Sequence, residues 1–241
     1  MDAQRKDIHN SEIPVLCRAC EARHRGVCGA LSPAQLTVLS KQATRRLVAA
    51  RSEMIGERQE TGGYANILSG VVKLTKMMAD GRQQIVGLQF APDFLGRPFR
   101  SASDVTAEAA TDVNLCSFPK AALDRMIKES PELERKLLEQ SLDELDEARD
   151  WMLTLGRKTA AEKVASFLYL IATNIDPSSD LETARFELPL TRSDIADFLG
   201  LTIETVSRQI TGLRKAGIIR IANNRHVEVP DLSLLAERAS I

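Results

Sequence analysis

The sequence predicts an α+β chain: an N-terminal antiparallel β-roll of cupin-like form, a long helix suited to dimerisation, and a C-terminal winged helix-turn-helix. Three observations carry that expectation. Residues 45–118 alternate short β-rich runs with turn signals, a helical pattern of roughly 26 residues follows Ser130-Pro131, and two short helical patterns flank Gly200 ahead of an Asn223-Asn224 hairpin signal.

Four segments follow: a cysteine-bearing arm over 1–30, the roll over 31–120, the long-helix region over 121–156 and the helix-turn-helix domain over 157–241. The arm shows no regular periodicity. Ser32 as N-cap, Pro33 at N1 and Gln35 at N3 open a helix that ends near Ala43. Tyr64–Leu68 and Val71–Met78 are β-rich runs separated by Ser69-Gly70, a two-residue hairpin signal. Ala79–Arg82 is a turn, Gln83–Phe90 a strand broken by Ala91-Pro92-Asp93, and Asp112–Phe118 a further strand.

Pro119–Lys128 reads as a short helix, and Ser130-Pro131 restarts helix to about Leu155. Leu138, Ser141, Leu145, Ala148, Met152 and Leu155 recur at alternating three- and four-residue spacing, the seam of a coiled coil. The alternative is an amphipathic helix packed on its own domain, but the length outruns what a small domain covers. Thr159-x-x-Glu162 is a capping box that opens the next helix, Asp176–Asp180 a loop, and Phe186–Leu188 a short strand. Two helices divided at Gly200 and a hairpin of Gly217–Ile221 and His226–Val229 complete the chain.

Composition removes several classes. The 241 residues are 44% hydrophobic and 27% charged, ordinary for a globular protein. No apolar run reaches the length of a membrane span, and the first thirty residues lack a signal-peptide core, so a cytoplasmic protein with no membrane partner is expected. The sequence offers no enzyme motif. Gly156-Arg157-Lys158-Thr159 has Arg where a phosphate-binding loop needs its Lys, and His9, His24 and His226 lie far apart. With 32 Lys and Arg against 33 Asp and Glu, any nucleic-acid contact must come from a local stripe rather than from overall charge.

Residues 191–215 supply such a stripe. Ile195, Ala196 and Leu199 face inward on the first helix, Gly200 takes the turn, and Thr202 caps the second helix, which buries Val206, Ile210 and Leu213. The opposite face carries Glu204, Ser207 and Arg208 at its start, with Arg214 and Lys215 further along. A recognition helix touches base edges with its first turns. Arg208 can pair with guanine O6 and N7, Glu204 can accept from cytosine N4, and Ser207 can serve base or phosphate. The hairpin would lie on the backbone, with Arg225 and His226 toward phosphate.

Cys17, Cys20 and Cys28 form C-x2-C-x7-C in the arm, and Cys116 sits in a strand. Four thiolates could hold an iron–sulfur cluster or a zinc ion. His24 with the three arm cysteines is a second zinc set, and a thiol switch without metal is a third reading.

Together these features resemble the CRP/FNR superfamily of transcription regulators over essentially the whole chain. Glu204-x-x-Ser207-Arg208 matches that family's recognition-helix signature, which goes with TTGAT-type inverted repeats in double-stranded DNA. The cysteine spacing is similar to the FnrN/FnrL type of the FNR branch. The resemblance implies that all four cysteines ligate an oxygen-labile 4Fe–4S cluster, that the cluster-loaded protein binds DNA as a homodimer, and that it contacts RNA polymerase.

The superfamily's cyclic-nucleotide branch uses Gly-Glu and a later Arg-Ser. Here Gly96 is followed by Arg97, Arg100-Ser101 lies too early, and Ser103-Asp104 does not supply the pair, so no cyclic nucleotide is expected. Residues 121–156 hold ten acids against five bases, so two such helices repel. Cluster binding is expected to reposition arm and roll against this helix and so tip a marginal dimer equilibrium.

Overall fold

The computed structural model describes residues 13–60, 62–175 and 182–241. The chain divides into two compact units: one holds the described residues up to Lys76 together with Leu88–Leu145, the other Met77–Gly87 with Asp146–Ile241. The expected Asp176–Asp180 loop lies outside the described residues.

The first unit begins with α1 (Val15–Arg18), α2 (Glu21–His24), a 3-10 turn (Val27–Ala30) and α3 (Pro33–Ser40). Between Val15 and Ala30 the arm is thus largely helical, against the expectation of no regular structure. Four-residue helices are too short to show a period. They form because Ile13, Ala22 and Val27 are buried, so tertiary packing shapes a stretch with no local pattern. Ser32 caps α3 as expected: its hydroxyl accepts from the Gln35 amide at 3.3 Å while Gln35 Oε1 accepts from Ser32 N at 2.9 Å.

Eight strands follow: β1 (Thr44–Val48), β2 (Glu53–Ile55), β3 (Gly63–Ser69), β4 (Val72–Met77), β5 (Gln83–Gln89), β6 (Phe94–Leu95), β7 (Thr106–Ala109) and β8 (Val113–Pro119). They make two four-stranded sheets, ordered β1-β8-β3-β6 and β2-β7-β4-β5. This corrects the Ser69-Gly70 hairpin. β3 pairs with β8 and β4 with β7, so the two residues turn the chain from one sheet into the other. Gly70 sits at φ +93°, and a Cβ there would strike the Asp112 carbonyl and come within 2.9 Å of Val113 Cα. Ile67, Val72, Ala107, Ala109, Val113 and Leu115 all enter one apolar cluster, and long-range pairing buries them where a local hairpin would not.

Next come α4 (Lys120–Glu129) and α5 (Pro131–Arg157). Leu133 and Leu137, in the first turns of α5, join a second apolar cluster with Val27, Leu36, Leu39, Tyr64, Phe94 and Phe118, against which Cys17 and Cys28 pack. Further along α5, Leu138 is 59% exposed, Leu145 44% and Met152 72%; Ala148 is exposed and Leu155 half-buried. The sequence pattern missed Leu142 and Leu153, which are also exposed.

In the second unit the last turns of α5 place Trp151 4.5 Å from Phe198. α6 (Ala160–Asn174), β9 (Ala184–Glu187), α7 (Arg192–Leu199), α8 (Ile203–Lys215), β10 (Arg220–Ala222), β11 (His226–Val229) and α9 (Leu232–Ala239) follow. α9 went unrecognised in the sequence. It caps on Asp231 and buries Leu232, Leu235 and Ala239.

The capping box of α6 has an electrostatic consequence. Glu162 Oε2 accepts from the Thr159 amide and hydroxyl, each at 2.7 Å, and Oε1 from the Ser240 hydroxyl at 2.8 Å. These bonds hold its carboxyl down at about 2, against an ordinary 4.5. A depressed folded-state pKa contributes stability that is present above pH 4.5 and lost as pH falls toward 2. The unfolding midpoint of Glu162→Gln is therefore expected to lie below that of the parent at neutral pH and to approach it as pH falls through this window.

Candidate nucleic-acid interface and metal centre

The helix pair is set by its caps. Thr191 Oγ1 accepts from the Asp194 amide at 3.1 Å to start α7, and Gly200 ends it in the left-handed region at φ 61°. Thr202 Oγ1 accepts from Thr205 N at 3.2 Å and starts α8. Val206, Ile210 and Leu213 are buried, so Glu204, Ser207, Arg208, Arg214 and Lys215 lie on the exposed face.

Within that face, Arg208 Nη2 donates to Thr205 Oγ1 at 3.2 Å. The Glu204 carboxyl is held below its ordinary value, first by the backbone amide at the helix start and then by the Thr202 hydroxyl. It is therefore an ionised acceptor, as pairing with a cytosine amino group requires.

The wing is the sheet β10-β11-β9, with Asn223 and Asn224 at φ 51° and 59° forming its turn. Arg225, expected to face phosphate, is engaged within the wing. Its Nε lies 3.2 Å from Glu187 Oε1 and its Nη2 donates to the Leu188 carbonyl at 3.4 Å. Glu187 faces it from the neighbouring strand, a pairing fixed only by the sheet register. His226 is exposed opposite Glu187.

Between α7, α8 and the wing runs a groove lined by Thr191, Arg192, Ser207, Arg214, Asn224 and Arg225, among others. Sequence reasoning missed Arg192. It lies at the first position of α7, where its cation and the helix N-terminus favour an anion together. Its Nη2 donates to the Asn224 carbonyl at 3.4 Å, while Nη1 is buried without a hydrogen-bond partner among the described residues. Burial lowers its pKa, so a phosphate oxygen would relieve both deficits. The signal was present as an Arg directly after the capping Thr191.

In the first unit, Cys17, Cys20, Cys28 and Cys116 line one pocket. They come from α1, the residue before α2, the 3-10 turn and β8. His24 is not among the lining residues; its Nε2 lies 3.1 Å from the Arg18 carbonyl. Burial raises the Cys28 thiol to about 12, helped by the sulfurs of Cys20, Cys116 and Cys17, while a hydrogen bond from Asn66 opposes the rise. Burial and the sulfurs of Cys20 and Cys17 take Cys116 to about 11 against the pull of Arg45, and Cys17 rises for the same kinds of reason. Four sulfur anions here would repel one another, and a cationic centre would offset that repulsion.

Among the described residues no three His, Cys, Asp or Glu side chains converge closely enough to hold one metal ion. The four cysteines nonetheless share the lining of one pocket, an all-sulfur donor set of the kind that iron–sulfur clusters and zinc both use. Two further residues were missed. Arg45 and Asn66 stand in register with Cys116 on either side of it, and Arg45 Nη2 donates to the Leu16 carbonyl at 3.0 Å, tying α1 to the sheet.

Residues 162–238 match the Crp-like helix-turn-helix domain family, and 46–130 the cyclic nucleotide-binding domain family. A protein described as a probable transcriptional activator from Rhizobium leguminosarum bv. viciae is 58% identical over 240 residues, covering 100% of both chains. The transcriptional activator protein FnrL of Cereibacter sphaeroides is 41% identical, over 95% of this chain and 94% of its own. Among solved structures, FixK2 from Bradyrhizobium japonicum aligns with a TM-score of 0.73 at 31% identity, covering 81% of this chain and 96% of that one.

Two substitutions separate the roles on the DNA side. Arg208→Ala is expected to cost about 1–3 kcal/mol and to relax selectivity at one base pair. Arg192→Ala is expected to weaken binding alike on all sequences and to lower the salt slope by about one. Titrations of matched and mutated duplexes at several salt concentrations read both. Uniform weakening by Arg208→Ala would move that residue to the phosphate class.

Proposed function

The chain belongs to the CRP/FNR family of DNA-binding transcription activators, and from that premise we propose that it is oxygen-responsive. In this reading Cys17, Cys20, Cys28 and Cys116 hold a 4Fe–4S cluster, and the cluster-loaded protein binds TTGAT-type inverted repeats as a homodimer to control anaerobic or microaerobic genes. One observation carries it: four cysteines separated by up to 99 positions line a single pocket. A pocket built only for packing has no need of four sulfurs.

When bound there, the cluster would supply reactivity toward dioxygen. The residues do the rest. Arg45 places positive charge beside Cys116 and Cys17, which favours their thiolate form as ligands. The arm is seated by Ile13 and Val27 in the same apolar cluster as Leu133 and Leu137 of α5. A change of arm position therefore reaches the root of the long helix through direct packing.

Leu138, Leu145, Ala148 and Met152 are exposed on that helix, as a dimer seam requires in a single copy, and Leu155 is half-buried. Ten acids against five bases over 121–156 oppose pairing, so the equilibrium is marginal and open to control. A C2 dimer would present its two recognition helices about 34–36 Å apart, one turn of DNA. RNA polymerase is the partner that activation implies.

Cyclic nucleotide stays outside this reading. Arg97, in place of the carboxylate that a ribose needs, is paired to Asp104 at 2.6 Å, and the Gly96 backbone is packed against the Tyr64 ring. Zinc or a thiol switch is the second reading. Zinc held by the arm alone loses force because His24 is bonded to the Arg18 carbonyl away from the pocket.

Iron and acid-labile sulfide on protein purified without oxygen are expected at about four each per chain, falling on exposure to air. Cys116→Ala should abolish this iron. Zinc in the parent, or metal retained by Cys116→Ala, would overturn the cluster reading. Sedimentation at sub-micromolar concentration should show the dimer under nitrogen and monomer after air; a dimer in both would sink the proposed coupling.

A further inference from the structure

We propose that Asn66 is a positioning residue of the cysteine pocket: its amide, bonded to the Cys28 sulfur, holds up the reduction potential of the bound cluster and slows its loss in oxygen. The inference rests on the cluster reading above. It concerns a residue with no charge and no place in any cysteine motif.

Asn66 is in the middle of β3 and only 1% exposed, in a run whose neighbours Ala65 and Ile67 are buried apolar residues. A buried amide costs free energy unless both its ends are bonded. Here Nδ2 donates to Cys28 Sγ at 3.1 Å, whereas Oδ1 is buried with no hydrogen-bond partner among the described residues. Packing alone would favour Val or Ile at such a position. The amide therefore sits in the core at a cost, and its one side-chain bond points at a sulfur.

That bond has little worth while Cys28 is a thiol, because a neutral sulfur is a weak acceptor. It gains worth when the sulfur carries charge, as a cluster ligand does. The register places Asn66 directly across from Cys116, with Arg45 on the other side of that cysteine, so one cross-strand row reads Arg45, Cys116, Asn66. Adjacent strands hold opposite residues on the same face. Asn66 thus stands between two of the four sulfurs, joined to Cys28 by its donor and next to Cys116 by pairing.

Hydrogen bonds to cluster sulfurs are one of the levers by which a protein sets an iron–sulfur potential. A donor draws electron density from the sulfur and favours the more reduced centre. Removing it should lower the potential and ease oxidation. The Asn66 amide itself carries no net charge, so this adjustment leaves the charge of the pocket, to which Arg45 contributes, unchanged.

The test compares Asn66→Val with Asn66→Thr. Both side chains suit a strand and are similar in volume, but only Thr retains a donor. Iron and sulfide are measured under nitrogen, the midpoint potential by spectroelectrochemical titration, and cluster loss in air by visible absorbance. We expect the parent's iron content in both variants, a lower potential in Asn66→Val, and loss in air about two- to tenfold faster, the scale of one hydrogen bond. Asn66→Thr should fall between Asn66→Val and the parent.

Equal potentials and decay rates in parent and Asn66→Val would overturn the proposal. So would identical shifts in both variants, or failure of both to hold iron, since these assign Asn66 to packing. Iron missing from the parent itself is a separate result: it removes the cluster reading, and this inference with it.

Discussion

The apolar cluster around Tyr64 and Leu133 ties together segments that are otherwise independent. Val27 from the arm, Leu36 and Leu39 from α3, Phe94 and Phe118 from the roll, Met126 from α4 and Leu137 from α5 all bury side chains in it. Each contributes on the order of 1.5–3 kcal/mol by leaving water. Without it the short helices of the arm have nothing to hold them, because four residues cannot sustain a helix in water. The cysteine pocket exists only because the arm is docked. The long helix is rooted in the same packing. A close-packed interior transmits displacement, so this apolar cluster is a physical link between the cysteine pocket and the first turns of the long helix.

Charge is arranged locally throughout the chain rather than globally. The formal charge is −1, yet the cysteine pocket has Arg45 beside it and the groove of the helix-turn-helix has Arg192 and Arg214. Around the sulfurs, burial and mutual repulsion work against anions, while Arg45 and Asn66 work for them. In the groove, a guanidinium nitrogen is buried with no hydrogen-bond partner among the described residues. Both places hold an electrostatic deficit that a ligand of opposite character would fill. A cationic centre would do so among the sulfurs, and a phosphate in the groove. At the wing the same logic runs the other way, because Glu187 already occupies Arg225. DNA would have to compete for that side chain.

Much of this architecture was legible in the sequence because it rests on short-range rules. The caps at Ser32, Thr159 and Thr202 each place a hydroxyl where free backbone donors begin, and all three are present. Gly200 and the Asn223-Asn224 turn require positive φ and have it. The inward and outward faces of α8 follow from a period of 3.6 residues. Local rules failed at Ser69-Gly70, where a hairpin signal became a corner between sheets, and in the arm, where no pattern announced helix. They also gave no warning of α9.

The residues that matter most beyond the motifs belong to the tertiary structure. Asn66, Arg45 and Glu187 acquire their roles from strand register, which sets Asn66 and Arg45 beside Cys116 and lays Glu187 against the wing. Register depends on which distant strands pair, and pairing is decided by the total apolar surface buried rather than by any local dipeptide. The sequence by itself determined most of the elements between α3 and β11, the caps at Ser32, Thr159 and Thr202, the exposed face of α8 and the inventory of four cysteines, because each is a property of neighbours along the chain. Only the tertiary structure decided that the four cysteines line one pocket and that an asparagine and an arginine flank Cys116. Those are meetings of residues tens of positions apart, enforced by burial.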